Sequence, residues 1–131
     1  MMRVMGLDDK EHNWPPPEHR CCLVNKHSEL HIRARTILKK LYPTMAILEE
    51  VPIPGSRLKL DFYVPSLGLA IEVQGQQHTE FTPHFHKNKF AFARARSNDR
   101  TKRYWCQDHN LRFIELHYDR TDAEWTTTIS D

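Results

Sequence analysis

The sequence has no apolar run approaching the roughly 20 residues that a membrane-crossing helix requires, so a helical membrane protein is not expected. Between Met1 and Arg20 it also lacks an apolar signal core, which argues against secretion and leads to the expectation of a cytoplasmic location. Cysteine is scarce. Cys21, Cys22 and Cys106 make an odd count without an export signal, so free thiols are a better reading than a disulfide framework. The adjacent Cys21 and Cys22 lack the Cys-x-x-Cys spacing of a zinc site, and His84 and His86 have no properly spaced second pair. Internal repeats and low-complexity tracts are absent. A length of 131 residues leaves no room for a second domain of ordinary size, so one core and one active site are expected.

What is present is the composition of a globular protein, with 39% hydrophobic and 27% charged residues. The formal net charge of +2 is too small to identify a partner, but its distribution is uneven. Nine Lys or Arg residues stand against four acids between Phe81 and Arg120, a local excess of five positive charges. Such a surface suits phosphate groups. A basic run taken alone is more often a solvated helix face, so it needs a second signal.

Residues 1–25 contain Trp14 followed by Pro15, Pro16 and Pro17 and show no apolar periodicity, which predicts an extended or mobile arm that adds little to the core. Residues 26–131 form the expected single domain. Leu30, Ala34, Ile37, Leu38 and Leu41 recur at helical spacing, Ser28 can cap their amino end, and Tyr42-Pro43 stops the run. Three strand-like runs follow, Met45 to Val51, Leu58 to Val64 and Leu69 to Gln74, separated by Pro/Gly/Ser-containing turns and read as an antiparallel meander. Phe90 to Asn110 has no glycine or proline and predicts a second helix, which carries much of the basic excess. Leu111 to Tyr118 predicts a fourth strand, and Thr121-Asp122-Ala123-Glu124 has the form of a capping box opening a short last helix. The expected order is α-β-β-β-α-β-α.

Alternation along the strands places Leu58, Leu60, Phe62 and Val64 on one face, with Lys59, Asp61 and Tyr63 on the other. In the next strand Leu69, Ile71 and Val73 oppose Ala70, Glu72 and Gln74. Two acids in otherwise apolar neighbouring strands are costly to bury unless a cation compensates them, and a bound metal ion is the usual compensation. The plain alternative is an exposed face on an edge strand. Asp61, Glu72 and Gln74 have the spacing to converge on one point, and hard oxygen ligands of this kind suit magnesium or manganese in phosphodiester hydrolysis.

Asp61-Phe62-Tyr63 followed by Glu72-Val73-Gln74 resembles the pattern of the PD-(D/E)XK nuclease superfamily, an acid on one strand and Glu-x-Lys on the next. The longer string Ile71-Glu72-Val73-Gln74-Gly75-Gln76-Gln77-His78 is similar to the branch of very-short-patch-repair-type and small phage endonucleases, whose strand runs into a Gly-x-x-His segment. Asn98 to Cys106 and Leu111 to Tyr118 are similar to that branch's Asp-x-x-Lys helix and closing strand. The resemblance covers roughly Ser28 to Tyr118 and implies a restriction-endonuclease-like α/β domain, a central mixed sheet flanked by helices. It further implies a Mg2+- or Mn2+-dependent DNA endonuclease in which Asp61 and Glu72 hold the metal and His78 and Glu29 assist. Lys102, Arg100, Arg103, Lys87, Lys89 and Arg96 would contact DNA phosphates.

Gln74 stands where that family usually has lysine. Its amide can orient the attacking water, or Lys102, Lys87 or the basic helix can bring the missing charge from another element. The alternative expectation is a nuclease fold that binds DNA without cutting it. A homodimer would suit double-strand cutting, and a phage or mobile-element origin is implied by the resemblance alone.

Overall fold

A computed structural model describes residues 2–16, 28–75 and 89–131, with side chains in the long helix from residue 93 onward. The elements are strands β1 (Met2–Met5) and β2 (Glu11–Trp14), helix α1 (Glu29–Leu41), strands β3 (Leu48–Pro52), β4 (Lys59–Val64) and β5 (Leu69–Gln74), helix α2 (Lys89–Asp108), strand β6 (Arg112–His117) and helix α3 (Asp122–Ser130). A four-stranded sheet in the order β3-β4-β5-β6 organises the chain. Its first three strands are antiparallel neighbours and β6 runs parallel to β5, so the sheet is mixed.

Local chemistry sets the helix boundaries. The Ser28 side chain accepts the His31 backbone N–H at 3.1 Å, which opens α1, and the Tyr42 N–H closes it on the Leu38 carbonyl. Thr121 and Glu124 form a reciprocal capping box at the start of α3. Between β4 and β5 a single 3-10 turn, Pro65–Leu67, ends at Gly68 with φ 57°, a left-handed conformation that glycine adopts without steric cost. That turn pairs Val64 with Leu69 and thereby sets the register of β4 on β5.

Each face of the sheet carries its own core. On one, Ala34, Ile37 and Leu38 of α1 and Trp125 and Ile129 of α3 pack on Phe62, Val64, Leu69, Ile71 and Leu116. Arg33 fastens the two helices, since its guanidinium lies 3.8 Å from the Trp125 ring centroid and its Nε donates to Asp122. On the other face, Trp105 and Cys106 of α2 pack with Leu60, Tyr63, Ala70 and Leu111. The strict alternation expected for β4 breaks here. Leu60 and Val51 join the α2-side core, whereas Phe62 faces α1, and Glu50, in left-handed backbone with φ 51°, sits at the break.

The amino-terminal segment corrects the expectation of an arm that adds little to the core. Met2–Met5 and Glu11–Trp14 pair as an antiparallel hairpin, and both Val4 and Trp14 are buried in the α2-side core. The Trp14 indole donates to the Pro52 carbonyl at 2.8 Å and that of Trp105 donates to the Met5 carbonyl at 3.0 Å, so the hairpin is tied to both β3 and α2. Trp14 also meets Trp105 edge-on at 5.2 Å between ring centroids. Strands of four residues are too short to show periodicity in sequence, and long-range aromatic contacts fix them instead. Residues 17–25 of the expected arm lie outside the described residues.

Candidate active site

The register Phe62↔Ile71 predicts that Asp61 and Glu72 should stand directly opposite, but the backbone ladder between β4 and β5 stops one pair short of them. Side chains replace it. The Asp61 N–H donates to Glu72 Oε2 at 2.7 Å, and the Val73 N–H donates to Asp61 Oδ2 at 2.8 Å. Meanwhile β5 stays paired with β6 as far as Gln74↔His117, so the sheet parts on one side only. The two carboxylates occupy the opening, on the α2 face.

Lys102 reaches the same point from α2, with Nζ 2.6 Å from Glu72 Oε1. Glu72 is only 3% exposed. Burial, reinforced by the neighbouring Asp61 charge, raises its carboxyl well above the usual carboxylate range despite the lysine. Burial works against the charge on Lys102 too, yet Glu72, Asp61 and Asp99 together outweigh it and hold the ammonium above its ordinary value. These opposite tendencies have one origin, the carboxylates of Glu72, Asp61 and Asp99 gathered near the Lys102 ammonium. Such a site attracts further positive charge.

Gln74, the next residue on this face, is 2% exposed. Its Nε2 donates to Glu115 Oε2 at 2.8 Å, and Glu115 is also engaged by Arg103. Because a carboxylate can only accept, Nε2 must be the atom facing Glu115. Gln74 Oε1 is then buried with no hydrogen-bond partner among the described residues. Such an orphan acceptor costs about 1–3 kcal/mol.

Two clefts lie beside α2, and one of them reaches Asp61. One, of about 330 Å³, is lined by Arg57, Lys59 and Asp61 from the β4 side and by Asn98, Asp99 and Lys102 from α2. The other, of about 410 Å³, lies between α2 and the ends of β5 and β6, and Asp99 borders both.

The structure thus brings together Asp61, Glu72 and Lys102, with Gln74 beside them. Arg96, Arg100 and Arg103 line the larger cleft. Glu29 is not gathered in: it lies exposed in the first turn of α1, whose buried side packs on the opposite face of the sheet. His78 and Lys87 lie outside the described residues, as does the side chain of Lys89. Glu115 and His117 were not among the expected site residues. Alternation in β6 carries the signal, since Phe113, Glu115 and His117 oppose the core residues Ile114 and Leu116. Only parallel pairing with β5, which sets Glu115 beside Glu72, brings them to the site.

Among the described residues no cluster of three or more His, Cys, Asp or Glu stands ready for a metal. A divalent ion here would rest on the two carboxylates of Asp61 and Glu72 and complete its shell with water, as oxygen-preferring magnesium commonly does. Cys106 is a free, buried thiol that burial and Glu72 push up to about 12, which leaves it unreactive.

No protein family matches the chain. No solved structure matches it either. Similarity is found to three viral proteins: uncharacterized protein 307L of Invertebrate iridescent virus 6, 48% identical over 61 residues; uncharacterized protein 033L of Invertebrate iridescent virus 3, 37% identical over 67 residues; and uncharacterized protein 094L of Frog virus 3, 39% identical over 74 residues. The matched segments cover 47%, 51% and 56% of this chain but 31%, 34% and 48% of those proteins. The chain therefore corresponds to half or less of the length of these relatives. Among the described residues no helix is long and apolar enough to cross a membrane.

Proposed function

We propose that this chain is a restriction-endonuclease-like domain that hydrolyses DNA phosphodiester bonds with magnesium or manganese. The observation that carries the reading is the parting of β4 from β5 where Asp61 and Glu72 face each other, with Lys102 against Glu72. A backbone ladder is seldom given up inside a sheet without a reason, because each lost pairing must be made good. Here carboxylates make it good, and the arrangement keeps two acids together that would otherwise repel.

A bound divalent ion would supply Lewis-acid polarisation of the phosphoryl group and a more acidic attacking water. Asp61 and Glu72 would hold it, their mutual repulsion and the burial of Glu72 relieved by its charge. Lys102 leaves Glu72 for the scissile phosphate or the attacking water, taking the place that the resembled family gives to a lysine at the Gln74 position. Gln74, tied to Glu115, shapes the floor instead. Arg57 and Lys59 on one side and Arg96 and Arg100 on the other supply cations for the flanking phosphates.

The test is conversion of supercoiled plasmid to nicked or linear form with Mg2+ or Mn2+, comparing the native chain with Asp61→Asn and Glu72→Gln. Activity in the native chain alone is expected, and equal behaviour of all three would overturn the assignment. The rival reading, a DNA-binding module without chemistry, is favoured by the same Lys102–Glu72 contact taken as permanent. It requires salt-dependent binding with no cleavage under either metal.

A further inference from the structure

The larger cleft is divided by chemistry. Arg96, Arg100 and Arg103 come from successive turns of α2 and supply cations, while Gln74, Glu115 and His117 come from the strand ends. Its volume of about 410 Å³ falls in the range that accommodates a small-molecule-sized group, and a duplex does not fit inside it. The feature that asks for a ligand is Gln74 Oε1. Glu115 fixes the orientation of the amide, so the carbonyl that remains is a buried acceptor on a residue that lines this cleft beside three arginines and the acids Asp99 and Glu115. A phosphate alone complements the charge of the arginines and repels this carbonyl, whereas a ligand with an anionic part and a separate N–H donor suits both.

We infer that this cleft is a subsite for one unpaired nucleotide beside the scissile position, with its phosphate on Arg96 and Arg100 and the exocyclic amine of its base donating to Gln74 Oε1. The inference rests on the nuclease reading for the identity of the strand that enters. Adenine, cytosine and guanine carry such an amine, whereas thymine offers one ring N–H between two carbonyls that would face the Gln74 carbonyl and the Glu115 carboxylate. The base is unpaired because both amine hydrogens are used here and pairing takes one of them, and bases splayed from a single strand are read in this way. Arg103, with 46% of its side chain exposed, swings off Glu115 as the base enters, and the freed carboxylate accepts the second amine hydrogen.

The experiment uses the full chain carrying Asp61→Asn, without metal, so that binding is measured apart from cutting. Fluorescence anisotropy with labelled oligo(dA), oligo(dC) and oligo(dT) of eight nucleotides is expected to give affinities for dA and dC roughly fivefold or more above that for dT. Gln74→Met, which keeps length and removes the acceptor, should abolish the preference while leaving salt-dependent binding in place. Arg100→Gln should weaken all three alike. Should Gln74→Met fail to fold, competition by dCMP, dTMP and inorganic phosphate against oligo(dC) decides the matter in the Gln74-containing chain, with dCMP expected to compete best.

Equal affinity for the three oligonucleotides, a preference that survives Gln74→Met, or inorganic phosphate competing as well as dCMP would each overturn the inference. Cutting by the native chain combined with binding blind to the base would overturn it and leave the nuclease reading standing. Base-selective binding with no cutting under either metal supports the subsite and removes the nuclease reading.

Discussion

The ammonium of Lys102 lies 2.6 Å from Oε1 of Glu72, although 30 residues separate them in the chain. The cation of the candidate site is therefore delivered by a helix packed over the sheet and not by the strand that carries the acid. Trp105 and Cys106, one turn further along α2, anchor that helix in the core and so determine where Lys102 arrives.

If Lys102 takes the place of the lysine that Gln74 displaces, Lys102→Met should lower the plasmid-nicking rate by roughly 10² to 10³-fold, the scale on which a lost charge stabiliser acts. Binding of Mn2+ to the same variant should be unimpaired or tighter, because a competing cation has gone. In that background Gln74→Lys should recover part of the rate. A Lys102→Met chain that nicks as fast as the native one would exclude this role.

Asp61→Asn and Glu72→Gln should each abolish detectable nicking while the fold persists, since neither substitution changes side-chain volume. Circular dichroism checks the fold and titration with Mn2+ checks the site, with weakened Mn2+ binding expected in both. Loss of cleavage with unchanged Mn2+ affinity would place the metal elsewhere.

The hairpin should behave as part of the core. Trp14 is fully buried against Tyr63 and Trp105, so Trp14→Ala is expected to cost about 3–5 kcal/mol in urea denaturation. A loss below about 1 kcal/mol, the scale of an ordinary surface change, would show that the hairpin is detached in solution.

On the opposite face, Glu49 is buried under Arg35, which grips it with donors at 2.8 and 2.9 Å, and His31, at 2.7 Å. Burial raises the Glu49 carboxyl, but the hydrogen bonds and charges of Arg35 and His31 outweigh that and leave it below its ordinary value of 4.5. A depressed folded value means that the stabilisation is fully present above the unfolded value and is lost as pH falls through the folded one. The urea midpoint should therefore fall on acidification below about pH 4.5, and Glu49→Gln should flatten that limb. An unchanged acid limb in the variant would assign it to other carboxylates.

Much of this architecture is legible locally. The Ser28 cap, the Tyr42-Pro43 stop and the Thr121–Glu124 capping box act within a few residues, and each marks its helix where the structure has it. The meander was readable because Leu69 to Gln74 and its neighbours are short, apolar and bounded by turn residues. The hairpin was not, because its four-residue strands are held by Pro52, Tyr63 and Trp105, all distant in sequence. Glu115 is silent in the sequence for a similar reason. Nothing near it in the chain marks it, and its place depends on which strand β6 joins and in which direction.

The sequence by itself determined the alternation along β5, where helices begin, and that two acids fall in neighbouring apolar strands, because these follow from side-chain period and local hydrogen bonding. Only the tertiary structure decided that the β4–β5 ladder opens at those acids, that Lys102 closes on Glu72, and that Gln74 turns to Glu115. Those are consequences of register across a turn and of how α2 packs on the sheet. Both are long-range, and neither leaves a periodic trace in the order of residues.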